Sequence, residues 1–134
     1  MIKKVTLFLS IVLCLTLIGC SKDADVDAFI TENDTVMKDI TTKIDANPSA
    51  AGVDDAQKSF DAKKDSLKSK WDAIKEARGM QVSEEKQKKL TDSMTANMKT
   101  LTDVSTKNAM KLAMDKDGAT KFQKLMTDYG NTFK

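Results

Sequence analysis

Beyond residue 25, apolar side chains recur at steps of three and four, and almost nothing in the chain interrupts them. That period lines one face of an α-helix, whereas a strand needs alternation. Pro48 is the only proline and there are five glycines. So few breakers over so long a stretch force few turns. The chain is confined to long amphipathic helices whose stripes must be buried against one another. Aromatic residues are 5% of the sequence, fewer than a sheet sandwich normally uses.

The stripes divide into four segments. Val26, Ile30, Asn33, Met37, Ile40 and Ile44, with Phe29 and Val36 beside them, predict a helix over 25–46. Asp23, Asp25 and Asp27 sit near its positive end, and Asn47-Pro48-Ser49 ends it, because a proline disfavours helix in the residue before it. Val53, Phe60, Leu67 and Ile74 recur every seven residues and predict a second helix over 53–78, flanked by Ala56 and Trp71. Lys63 and Lys64 narrow its stripe. Gly79 suits the left-handed position after its end.

Ser83 reads as the N-cap of a third helix, with Glu84 and Glu85 in its first turn. Leu90, Met94, Asn97, Leu101, Val104, Asn108 and Leu112 carry it towards Met114. Asp115-Lys116-Asp117-Gly118 marks a break before a shorter helix over 119–129. Phe122, Leu125, Met126, Tyr129 and Phe133 form its apolar side. One continuous helix through Gly118 stays open as the alternative, since a mid-helix glycine costs only about 1 kcal/mol. Alone in water each of these helices would be marginal. The expected fold is all-α: an up-down helical bundle of three long helices plus a shorter C-terminal helix.

The first twenty residues follow a different logic. Lys3 and Lys4 make a positive start, residues 5–18 carry no charge, and Leu17-Ile18-Gly19-Cys20 follows. A 14-residue apolar run suits the core of a signal peptide, whereas a membrane-spanning helix needs about 20 residues. Leu17-Ile18-Gly19-Cys20 resembles the lipobox of bacterial lipoproteins. The resemblance implies cleavage before Cys20, a diacylglycerol on its thiol and, in many bacteria, acylation of its new amine. Each buried acyl methylene contributes about 0.8 kcal/mol, so two or three chains hold firmly. The expected organisation is a leader over 1–19, a lipidated tether over 20–24 and the bundle over 25–134. Ser21, where an aspartate would imply retention in the inner membrane of enteric-type bacteria, implies outer-membrane transport in a Gram-negative cell.

Charge narrows the partners. Removing Lys3 and Lys4 from 22 basic side chains leaves 20, matching 20 acidic ones. A neutral domain is poorly suited to nucleic acid. There is no histidine, and Cys14 leaves with the leader. Lipid on Cys20 leaves no thiol for a disulfide or a nucleophile, so Ser-His-Asp and Cys-His chemistry is excluded. Asp54-Asp55 and Glu84-Glu85 sit at helix starts, where acids are ordinary. Asp115-Lys116-Asp117-Gly118 fails as a calcium loop, since Ala119, Thr120 and Met126 fall where a ligand, the glycine and the glutamate are required. No metal site and no cofactor beyond the covalent lipid is expected.

Met94/Met98 and Met110/Met114 are two pairs at four-residue spacing. Their ordinary role is flexible filling of a core. They are also the candidate residues for an adaptable partner surface, or for a thioether site taking Cu(I). Asn33, Asn97 and Asn108 interrupt the stripes and are expected at their wet edges, the alternative being burial that fixes register. The leading functional expectation is a non-enzymatic envelope lipoprotein that contacts another envelope protein through its helices. A chaperone-like protein binding unfolded clients is one alternative. A peptidoglycan tether through Lys134 is another.

Overall fold

A computed structural model describes residues 21–77 and 81–134. The leader, the lipobox, Cys20 and the Gly79 position lie outside the described residues. Four helices follow in order: α1 Asp23–Ala46, α2 Ala50–Lys75, α3 Glu84–Met114 and α4 Gly118–Thr132. They form an all-α bundle of three long helices and a shorter fourth. Among the described residues no helix is long and apolar enough to cross a membrane.

Each helix boundary has a local cause. The Ser83 hydroxyl accepts from the Lys86 N–H at 3.4 Å, so α3 starts where the cap predicts. α2 starts at Ala50, three residues before the expected start, because Ser49 is its N-cap and accepts from the Gly52 N–H. It ends at Lys75 rather than residue 78, with Glu76 as its C-cap. α1 begins at Asp23, so the expected tether shortens to Ser21 and Lys22 beyond Cys20. The break before Gly118 is real. A Cβ on Gly118 would lie 2.8 Å from the Leu112 carbonyl oxygen, so the tight corner between α3 and α4 needs a residue without one.

The helices alternate in direction, but not as a simple chain of neighbours. α1 packs on α2 and α3, α2 packs on α4, and α3 touches α4 more lightly. The short α1–α2 and α3–α4 connections join antiparallel neighbours, as the stripes predict. α2 and α3 instead stand at opposite corners of the bundle. α1 and α3 therefore lie side by side and parallel: Lys86 pairs with Asp27, Asn97 with Asp34 and Asn108 with Asp45.

The core is the set of stripes turned inward. Val53, Phe60 and Leu67 are fully buried and Ile74 nearly so, which places the whole seven-residue repeat of α2 inside. Val26, Phe29, Met37, Ile40 and Ile44 meet them from α1, with Leu101 from α3 and Leu125 from α4. Phe29, Trp71, Phe133, Tyr129 and Phe60 touch in a chain of rings, with centroids 5.0–5.8 Å apart. A sequence poor in aromatic residues thus concentrates five rings between α1, α2 and α4.

The three asparagines depart from expectation. Asn33 is fully buried, and Asn97 and Asn108 nearly so. Each has a partner on another helix. The Tyr129 hydroxyl donates to Asn33 Oδ1 at 2.9 Å. Asn97 donates to Asp34 at 2.8 Å and Asn108 to Asp45 at 2.7 Å. Among the described residues, Asn33 Nδ2 and Trp71 Nε1 are buried without a hydrogen-bond partner.

Candidate functional site

The methionines separate by angle on α3. Successive residues turn by about 100°, so Met94 falls within about 20° of Leu101 on the buried side, and Met98 about 60° away. Met110 lies about 180° from Leu101 and Met114 a further 40° round, on the outer face. Exposure follows the angle. Met94 is partly buried against the core, Met98 is 45% exposed, Met110 79% and Met114 84%. Core filling therefore describes Met37, Met94 and Met126 but not Met98, Met110 or Met114.

The four do not converge. Met98 and Met110 are separated by twelve residues, about 18 Å along the axis, as well as by about 120°. No four-thioether site forms. What remains together is the pair Met110 and Met114, with exposed Ala113 between them. Its setting makes it distinctive. The same outer face of α3 carries the ion pairs Lys88–Asp92 and Lys99–Asp103, each at four-residue spacing and 2.5 Å. After Asp103 no further four-residue ion pair follows on α3 among the described residues, and Met110 and Met114 stand exposed on this face.

The inner edge of α3 is held to α1 by an acidic ladder. Asp27 accepts from Lys86 at 2.6 Å and Lys89 at 2.9 Å. Asp34 accepts from Ser93 at 2.6 Å, and Asp45 from Lys107 at 3.0 Å. Hydrogen bonds from Lys86 and then Lys89 hold the Asp27 carboxyl below the usual aspartate range. Lys107 and Asn108 do the same for Asp45. The Asp27 and Asp45 carboxyls are pulled away from neutral pH, the opposite of what a proton donor requires.

Two aspartates act at the corners. Asp23 accepts from the Ser83 N–H at 2.9 Å, tying the start of α1 to the start of α3. At the far end Asp115 accepts from the Ala50 N–H at 2.9 Å and so caps α2 from the α3–α4 corner. That bond, followed by one from the Asp117 N–H, lowers the Asp115 carboxyl. The failed calcium-loop segment thus has a structural use. Favourable charge at a helix start was legible for Asp23, but its partner 60 residues away was not.

The remaining concavities are shallow. One groove of about 480 Å³ runs along α1 and α2, lined in part by Thr31, Thr35, Glu32, Lys63 and Lys70. Lys70 and Ser66 occupy the Glu32 carboxylate. No group of three or more acidic or cysteine side chains suited to a metal occurs among the described residues. Lys134 donates to Asn131 at 2.6 Å and follows Phe133, whose ring packs on Phe29 and Trp71. It therefore lies near the end where α1 begins.

No family model, no curated protein and no solved structure matches this chain. The geometry alone defines the class: a four-helix bundle with α2 and α3 on one diagonal, an acid-laced α1–α3 edge and, among the described residues, one exposed thioether pair.

Proposed function

We propose that this chain is a lipid-anchored envelope protein whose bundle is a non-enzymatic interaction module, docking another envelope protein on the outer face of α3 at Met110 and Met114. The single observation that carries docking is the exposure of those two side chains, 79% and 84%, on a face whose equivalent earlier positions hold ion pairs. Unbranched thioethers adapt to a partner surface at little conformational cost. An apolar pair on an outer face that elsewhere holds ion pairs supplies a small docking centre with a polar surround. The anchor rests on Leu17-Ile18-Gly19-Cys20. Lys134 stands near the start of α1, so attachment of the cell wall there would gain almost no reach from the bundle's length.

The test is crosslinking in cells from a photoreactive residue replacing Ala113. Three backgrounds are compared: the unmodified chain, Met110→Ser with Met114→Ser, and Cys20→Ala. The unmodified chain is expected to give a discrete adduct in the membrane fraction. The double serine change should lose the adduct while keeping the protein at the membrane. Cys20→Ala should leave the precursor unprocessed. An adduct that persists unchanged without both methionines refutes the docking surface, and unaltered processing and fractionation of Cys20→Ala refutes the anchor.

A further inference from the structure

The bundle starts almost at once after the position assigned to the lipid. The Lys22 N–H donates to the Gln81 carbonyl at 2.7 Å, and the Asp23 N–H donates to Ser21 Oγ at 3.3 Å. Asp23 in turn holds Ser83. The chain is thus fixed into the bundle from residue 22, and Cys20 is two peptide steps away. Two residues span at most about 7 Å. The interfacial layer of one leaflet is itself about 5–7 Å thick. A diacylglycerol on Cys20 therefore leaves this end of the bundle no room to lift clear of the headgroups.

We propose that the bundle stands end-on on the bilayer, with the start of α1, the end of α2 and the start of α3 against the headgroups. The proposal deepens the functional reading above and rests on its anchor. The occupant of this face is the lipid headgroup layer, fixed by where the chain enters the described structure. The long sides carry no net charge to draw them onto an anionic membrane. Their charges are paired along the helices, as in Lys68–Asp72, Lys88–Asp92, Lys99–Asp103 and Lys124–Asp128, and the chain after the leader has equal numbers of acidic and basic side chains. Met110 and Met114 follow Glu84 by 26 and 30 residues along α3, so they stand on the order of 40 Å above the headgroups. The anchor then presents the docking pair away from its own membrane.

The experiment uses the full lipidated chain, purified from membranes and reconstituted into phosphatidylethanolamine–phosphatidylglycerol vesicles doped with a headgroup-nitroxide lipid. With Cys14 removed and the Cys20 thiol acylated, a single introduced cysteine carries a fluorophore at Glu84→Cys, Thr102→Cys or Lys116→Cys, all exposed positions. The label at 84 is expected to lose most of its fluorescence, and the label at 116 to keep it, with 102 between. Equal quenching at all three means the bundle lies flat and overturns the proposal. Unquenched fluorescence at 84 in protein that floats with the vesicles also overturns it while leaving the anchor intact. Protein that fails to float overturns the anchor and the orientation together.

Discussion

The Asn33–Tyr129 pair offers a sharp test of how this core balances its polar groups. Both side chains are buried, Asn33 completely, and one 2.9 Å hydrogen bond joins α1 to α4 across the bundle. Asn33 Nδ2 has no partner among the described residues. Tyr129→Phe removes the only donor to Asn33 Oδ1 among the described residues and leaves both polar atoms of the amide without a partner. Stranding buried polar atoms costs about 1–3 kcal/mol. Asn33→Leu alone strands the hydroxyl and falls in the same range. The double substitution leaves no polar atom of the pair buried, and replacing both partners with apolar groups of similar shape is nearly neutral or stabilising. The double variant is therefore expected to match or exceed the parent, with a coupling of about 2–6 kcal/mol that cancels the sum of the two single losses. Urea unfolding of the chain from Ser21 onward, followed through Trp71, the only tryptophan, measures all four corners of the cycle. Additive losses, or a neutral Tyr129→Phe, would refute the reasoning and mean that water satisfies the amide.

Further outcomes follow from other features. Tyr129 is the only tyrosine, and burial pushes its hydroxyl up to about 12, against a lowering hydrogen bond to Asn33. Its stabilising contribution is complete below the ordinary value of 10.0 and is lost as pH rises towards 12, so phenolate absorbance should appear about two units late and together with unfolding. Asp27 and Asp45 are lowered from 3.8, so their contribution holds above that value and fades as pH falls below it; amide exchange should then show α3 losing protection before α2, and simultaneous loss would count against the ladder. A Cβ at Gly52 would sit 1.8 Å from the Asn47 carbonyl oxygen, so Gly52→Ala should cost about 1–3 kcal/mol or more in thermal or urea melts. Met110→Ser with Met114→Ser should change stability by less than about 0.5 kcal/mol per site, whereas Met37→Ser, in the core, should cost several.

Most of the fold was legible because helix periodicity is a local signal. The repeat at Val53, Phe60, Leu67 and Ile74 became the buried face of α2, and Ser83 became the cap of α3. What was not legible is relational. The depth of Asn33, Asn97 and Asn108 is decided by acceptors and donors on other helices, which spacing along one helix does not reveal. The diagonal placement of α2 and α3 depends on the pairing of α1 aspartates with α3 lysines and asparagines. The outward turn of Met110 and Met114 was readable in principle. Placing both methionine pairs on one helical projection with Leu101 separates them, whereas spacing within each pair makes them look equivalent.

The aromatic chain and the Tyr129–Asn33 bond join segments 96 residues apart. Closure of the interior must wait until α4 is available, because α1 cannot complete its burial with α2 and α3 alone. A partly synthesised chain therefore lacks the contacts that would lock it into a compact shape, and long-range contacts of this kind slow folding. Were the chain exported as proposed above, this delay would act as a built-in timer, postponing collapse until the threading of an open strand is nearly over.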